Sequence, residues 1–309
     1  MTEPVLKPTL HGYLVIDKPG GWTSFDVVAR ARRILGEKRI GHAGTLDPAA
    51  TGVLPLAVGA ATKTLEFLTD ASKTYLADIT FGVETDSQDI EGRVTRISDA
   101  SVLSADDVND ALAQMLGPQE QIPPMHSAIK IGGQKLYELA RRGEEIARPP
   151  RPVTFYTLDL CAWNPPVATI LIDCSKGTYI RSLARDLGEA LGPGAYLSNL
   201  VRTRSGPFTL DDALTISQLE ELPWPWAWPD VAVHPDVPVQ AWPALILDEL
   251  AANRWQQGAT IPAHGRTAGP IRAYDVAGRW LGTGYADDAG TGWRPGKVVT
   301  VTAGEGRSA

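Results

Sequence analysis

Cysteine is scarce in this 309-residue chain: Cys161 and Cys174 are the only two, with twelve residues between them. There is no C-x-x-C pair, no ligand histidine near either cysteine and no N-x-S/T acceptor. A zinc ribbon and a secreted disulfide framework are both excluded, and this cysteine usage predicts a reducing cytoplasm. No run approaches eighteen consecutive apolar residues, and residues 1–8 lack the basic start and apolar core of a signal peptide, so neither a membrane span nor a leader is expected. Positive charge is in short supply as well. Twenty-nine Lys and Arg face 36 Asp and Glu, a formal charge of −7 that gives no global reason to bind a polyanion. Any such site must be local. No G-x-G-x-x-G follows a strand, and Gly59 stands three residues too far from Lys63 for a phosphate loop. The histidines at 11, 42, 126, 234 and 264 form no metal motif. The residues imply no cofactor and no metal.

What is present is a globular composition, 43% hydrophobic and 21% charged, punctuated by 30 Gly and 24 Pro that indicate many turns. The length suits one large domain with an appendage, or two ordinary domains. Leu14-Val15-Ile16 reads as a strand stopped by Lys18-Pro19-Gly20-Gly21. Thr23 or Ser24 then caps an amphipathic helix over 25–35, closed by Gly36. Period-two alternation over 75–81, with similar runs at 153–160 and 169–174, predicts further strands. Helices and strands are interspersed without a regular βαβ rhythm. This order predicts an α+β fold with a mixed, mainly antiparallel sheet and flanking helices. Six prolines and four tryptophans between 222 and 243 mark a connector pressed onto the protein. Beyond it, 245–256 reads as a helix, and 271–276, 279–285 and 297–302 read as strands of a small β-rich module.

Charge is unevenly placed. Residues 97–125 carry five acids and no Lys or Arg, whereas 126–151 carry six bases against three acids. Taken singly, such runs are solvated faces. The densest unusual segment is Gly41-His42-Ala43-Gly44-Thr45-Leu46-Asp47-Pro48-Ala49-Ala50-Thr51-Gly52. Its glycines permit a kinked backbone, and Pro48 biases Asp47 toward an extended conformation that can hold a carboxylate out of the loop. In isolation, Asp-Pro is a turn or a helix cap.

The motifs together are more specific. Gly12 to Ser24, the Asp47 loop through Lys63, Lys73-Thr74-Tyr75, Ile122 to Lys130, Cys174 to Arg181 and Gly194 to Gly206 stand in an order that resembles bacterial tRNA pseudouridine-55 synthases. The resemblance implies a pseudouridine-synthase-like catalytic domain over 1–232 with an RNA-gripping insertion at about 123–151. A connector follows over 233–243, then a PUA-like RNA-binding domain over 244–309. The implied reaction is isomerisation of uridine 55 in the tRNA T-loop, with base flipping. Asp47 aligns with the family's catalytic aspartate, Arg181 with its arginine partner, and Tyr75 with the active-site tyrosine. Tyr179 and Leu200 match pocket positions, and His42 the residue that takes up space near the flipped base. Lys18 falls in the family's Lys-Pro motif, supporting the loop or a phosphate. Lys130, Lys135, Arg141, Arg142 and Arg202 are expected to meet the RNA backbone. His126 departs from the aromatic usual at its position.

The resemblance further implies a monomer that acts on the T-arm without an obligate protein partner. A noncatalytic RNA chaperone would need only the basic insertion and the C-terminal module, leaving Asp47 a turn residue. A synthase directed to another RNA by a guide complex would need partners.

Overall fold

The structure is a computed structural model that describes residues 10–299, except 126, 128, 129, 132, 137, 138, 140, 141, 143, 145 and 264–266; of residues 130, 131 and 135 it describes the backbone alone. The strands in chain order are β1 (Gly12–Lys18), β2 (Ile40–His42), β3 (Thr51–Val58), β4 (Lys73–Phe81), β5 (Val83–Thr85), β6 (Val94–Ile97) and β7 (Gly117–Gln121). They continue with β8 (Lys130–Ile131), β9 (Gln134–Lys135), β10 (Arg151–Asn164), β11 (Val167–Cys174), β12 (Ala195–Ser205) and β13 (Phe208–Thr209). Among the described residues, nine of these form one sheet in the order β1-β3-β12-β4-β11-β10-β7, with β2 beside β3 and β13 beside β12. Every pairing is antiparallel except β3 with β12. The α+β fold with a mixed, mainly antiparallel sheet is as the sequence predicts.

Alternation explains why β4 and β11 lie centrally. Lys73, Tyr75, Ala77, Ile79 and Phe81 of β4 and Ala168, Ile170, Ile172 and Cys174 of β11 are all buried on one face. The helix Ile180–Leu191 presses Ile180, Leu183, Ala184 and Leu187 into the same apolar cluster. On the other flank, the helix Ser24–Leu35 begins at Thr23 with a reciprocal capping box to Asp26 and ends on the left-handed Gly36. On its outer side Arg30 pairs with Glu220, and Arg32 donates to the Ile40 carbonyl at 2.7 Å.

The connector lies against the sheet domain. Trp228 is buried and Trp224 half-buried against Leu14, Val27 and Leu56, while Val233 forms a bridge with Tyr13. Trp242 meets Phe67 edge-on at 5.0 Å. The sequence reading of 245–256 as one helix is corrected. Ala244–Leu247 is a strand, β14, and Asp248 caps a helix that starts only at Glu249. The parallel backbone ladder to β16 (Pro270–Asp275) overrides the helix-compatible pattern of Leu245, Ile246 and Leu247. With β15 (Ile261–Pro262), β17 (Trp280–Ala286) and β18 (Gly292–Val298), they form a five-stranded sheet of their own.

The parallel contact between β3 and β12 brings the two backbones close together. Gly52 pairs with Arg202 at φ +99°, and a Cβ there would lie 2.9 Å from the Arg202 amide nitrogen and closer still to its carbonyl oxygen. We expect Gly52→Ala to lower the unfolding free energy by about 2–3 kcal/mol, measured by chemical denaturation, because it combines backbone strain with a collision that no rotamer relieves.

Candidate active site

The Asp47 loop leaves β2 at His42 and re-enters the sheet at Thr51, directly above the β3/β12 contact. Its shape is fixed by backbone hydrogen bonds from all sides. Ser24 Oγ accepts from the Leu46 amide at 2.9 Å, and the Gly21 amide donates to the Pro48 carbonyl at 2.9 Å. Lys18 is fully buried and gives its ammonium hydrogens to the carbonyls of Pro19, Trp22 and Pro48. Arg202, 1% exposed, donates to the carbonyls of Val53 and Gly44.

One expectation is corrected by this: Arg202 does not present its guanidinium to an RNA backbone but supports the loop from within. Of the two roles expected for Lys18, its bonds match support of the loop. The charge on each side chain makes burial costly. Desolvation pulls Lys18 down to about 8, with Asp47 opposing that shift.

Held in this way, the Asp47 carboxylate meets Arg181 across a two-pronged contact. Arg181 Nε lies 2.9 Å from Oδ2, and Nη2 donates to Oδ1 at 3.2 Å. The partners differ in exposure: the Arg181 side chain is 5% exposed and that of Asp47 41%. The guanidinium is therefore sunk in the protein, while one side of the carboxylate faces the cleft. Such a fork restricts the carboxylate in angle as well as distance. Desolvation pushes Asp47 above its ordinary value; Arg181 and Lys18 pull it back, and Asp89 adds to the rise.

Asp89 was not singled out in the sequence. It lies in the turn between β5 and β6, is 8% exposed, and places Oδ2 3.5 Å from Arg181 Nη1. Ser87 Oγ and the Glu91 amide donate to its other oxygen. Arg181 thus sits between two carboxylates, one facing the cleft and one structural. Only the run Thr85-Asp86-Ser87-Gln88-Asp89, dense in turn-forming polar residues, could have drawn attention to it.

Tyr75 is 8% exposed and pairs across the sheet with Arg202. It shares an apolar cluster with Leu46, Ala50 and Leu200, so its ring forms part of the floor under the loop. Tyr179 precedes the helix that carries Arg181, and its backbone N–H and C=O both bond the Gln121 side chain. Burial pushes both phenols up, so they remain protonated at neutral pH. His42 lies half-buried with its ring against Phe25, and burial followed by the Arg202 charge pulls its pKa down, leaving a neutral imidazole.

The structure therefore groups Asp47, Arg181, Tyr75, Tyr179 and Leu200 around the loop, through the Asp47–Arg181 pair, the cluster of Leu46, Tyr75 and Leu200 and the charge coupling of both tyrosines to Asp47, while His42 stands at the start of the loop beside Phe25. The basic insertion is described only in part. Lys130 and Lys135 pair through their backbones as β8 and β9, and exposed Arg142 pairs with Glu144 at 2.6 Å. His126 and Arg141 lie outside the described residues. Among the described residues, no three His, Cys, Asp or Glu side chains converge to hold a metal ion, and no helix is long and apolar enough to cross a membrane.

The electrostatics carry opposite signs that can be measured. Arg181→Met removes the cation favouring the charged form of Asp47, so the Asp47 pKa should rise further. Asp89→Asn removes a neighbouring anion and should lower it. Carboxyl carbon NMR shifts of Asp47 against pH check both directions.

Comparison with known proteins agrees with this geometry. Residues 32–180 match the TruB family pseudouridylate synthase (N terminal domain), 181–230 the tRNA pseudouridylate synthase B C-terminal domain, and 243–292 the Pseudouridine synthase II TruB, C-terminal. A protein of Trichormus variabilis named tRNA pseudouridine synthase B is 43% identical over 86% of this chain and 91% of its own length. Its namesake in Dehalococcoides mccartyi is 41% identical over 94% and 96%, respectively. A solved Cbf5-Nop10-Gar1 complex contains a chain of the same fold, with a TM-score of 0.72 and 24% identity over 96% of this chain and 91% of that one. Sequence likeness over nearly the full length, together with the shared fold, shows that this chain belongs to the TruB family of pseudouridylate synthases.

Proposed function

We propose that the protein isomerises uridine 55 in the T-loop of tRNA to pseudouridine. The observation that carries this reading is the cleft-facing Asp47 carboxylate held in a fork by buried Arg181 above Tyr75 and Leu200. Relatives named tRNA pseudouridine synthase B, 41–43% identical over most of the chain, support the same substrate class.

A base within a folded hairpin is unreachable until it leaves its stack, and a pocket that receives it must replace the lost stacking. Tyr75 and Leu200 supply an aromatic and an aliphatic surface for the uracil, and Tyr179 adds a ring with a polar tip. Asp47, as the anion, acts where the sugar meets the base while the C1′–N1 bond breaks. The uracil turns within the pocket, C5 joins C1′, and the hydrogen on C5 is exchanged for one on N1, so the reaction needs no external reagent. Arg181 keeps Asp47 ionised and aimed against the desolvation that raises its pKa. Activity consequently requires the deprotonated form and falls as pH drops through the raised Asp47 pKa, at a higher pH than for a solvated aspartate.

The insertion over 123–151 supplies phosphate contacts that fix placement, and the β-rich module over 244–309 is a PUA-like RNA-binding domain joined by the 233–243 connector. The chain works as a cytoplasmic monomer without an obligate protein partner. Pseudouridine mapping after incubation of the purified chain with unmodified tRNA tests the whole reading. Asp47→Asn should reduce product formation on the order of 10³-fold or more while T-arm affinity stays within about threefold. Product formed by the variant at the wild-type rate would return Asp47 to a turn residue and favour an RNA-binding role alone. Failure of the purified wild-type chain on a T-arm stem-loop would point to a guide complex.

A further inference from the structure

Phe25 keeps 71% of its surface in water although it stands beside the catalytic loop. It is the second residue of the helix Ser24–Leu35, whose buried side is built from Ser24, Val27, Val28, Ala31 and Leu35. Helical spacing places position 25 on the outward face, where a polar side chain would serve the helix equally well. Among the described residues the one ring contact of Phe25 is with His42, which it meets nearly at right angles with centroids 5.3 Å apart. Most of the phenyl ring remains open.

The placement of this ring is rigid and close to the chemistry. Ser24 Oγ accepts from the Leu46 amide, one residue before Asp47, and Lys18 and Gly21 bond the Pro48 carbonyl one residue after it. Phe25 is therefore fixed to the same framework as the carboxylate. His42 presents a neutral imidazole, and its buried Nδ1 has no hydrogen-bond partner among the described residues. Two uncharged rings thus stand together where the Asp47 loop leaves the sheet, the loop itself packing through Leu46 and Ala50 on Tyr75 and Leu200.

We propose that Phe25 is a base-stacking residue for an unpaired T-loop nucleotide adjoining the uridine that enters the cleft, an inference that rests on the tRNA-modifying reading above. Extrusion of one nucleotide strips its neighbour of a stacking partner. An exposed aromatic ring held beside the entrance replaces that partner for any base, since every base offers a π-face. Phe25 acts by positioning and touches no reacting atom. The effect of its loss falls on KM and Kd rather than on kcat.

The test uses the full chain and a T-arm stem-loop carrying 2-aminopurine next to the target uridine. Phe25→Ala should raise Kd and KM on the order of tenfold and abolish the fluorescence quenching seen with the native ring. Phe25→Trp should restore both, whereas Phe25→Leu, which keeps an apolar contact for His42 but has no π-face, should not. Thermal midpoints should be unchanged across the series. Unaltered Kd and quenching in Phe25→Ala, or full recovery in Phe25→Leu, would overturn the proposal by reducing Phe25 to a bystander or a packing support. Absence of pseudouridine from the native protein would instead defeat the catalytic reading, and the binding and quenching data would still decide the role of Phe25.

Discussion

The site is organised around a guanidinium almost wholly withdrawn from water. Arg181 is held between a cleft-facing carboxylate, Asp47, and an inward one, Asp89, with the Ser87 carbonyl on the same side. Burying an unpaired guanidinium would be strongly destabilising, so the helix that carries Arg181 can seat only where these acceptors converge. That requirement joins three segments far apart in sequence: the loop after β2, the turn after β5 and the helix Ile180–Leu191. The cleft between them follows from charge neutralisation as much as from apolar packing.

Three more cations are buried nearby in a chain of net charge −7: Lys18, Lys73 and Arg202, at 0%, 6% and 1% exposure. Each bonds carbonyl oxygens. Lys73 gives its hydrogens to Leu68, Thr69 and Ala71 at the end of one short helix, as Lys18 does to the carbonyls around the catalytic loop. Carbonyl dipoles satisfy the hydrogen-bonding demand while leaving the positive charge uncancelled. Lys18 consequently still favours the anionic form of Asp47, opposing the desolvation that raises its pKa. Cations that barely face solvent thus oppose the burial that would neutralise the Asp47 carboxylate.

Much of this was legible in residue order because the relevant physics is local. Thr23 with Asp26 and the terminal Gly36 announce a helix, and Tyr75 through Phe81 announce a half-buried strand. The glycine-rich loop around Asp47 can be recognised from its own composition. What escaped is set by distant partners. Arg202 and Arg142 are indistinguishable as letters, yet one is sealed beneath the loop and the other lies on the surface, because only Arg202 is paired in register with Gly52 and Tyr75. Asp89 could not be linked to Arg181 across ninety residues without the fold. Leu245-Ile246-Leu247 suits a helix until β16 offers its unpaired edge.

The same strand that leaves the catalytic loop also determines where the C-terminal module sits. After Thr51, β3 runs eight residues, roughly 26 Å at 3.3 Å per residue, and ends at the turn that begins with Gly59. The module is anchored on that turn and the short helix after it: Lys63 Nζ donates to the Val298 carbonyl, Lys297 pairs with Glu66, Trp280 packs with Ala60, and Trp242 abuts Phe67. One strand, buried from Gly52 onward, therefore has the Asp47 loop at its start and the module's footing at its end. β3 is hydrogen-bonded to β1 along its length and to β12 at its start, so both ends of it are tied into one sheet. An RNA that touched both the module and Asp47 would be measured against this strand, so shape rather than sequence would decide whether its nucleotide reached the carboxylate.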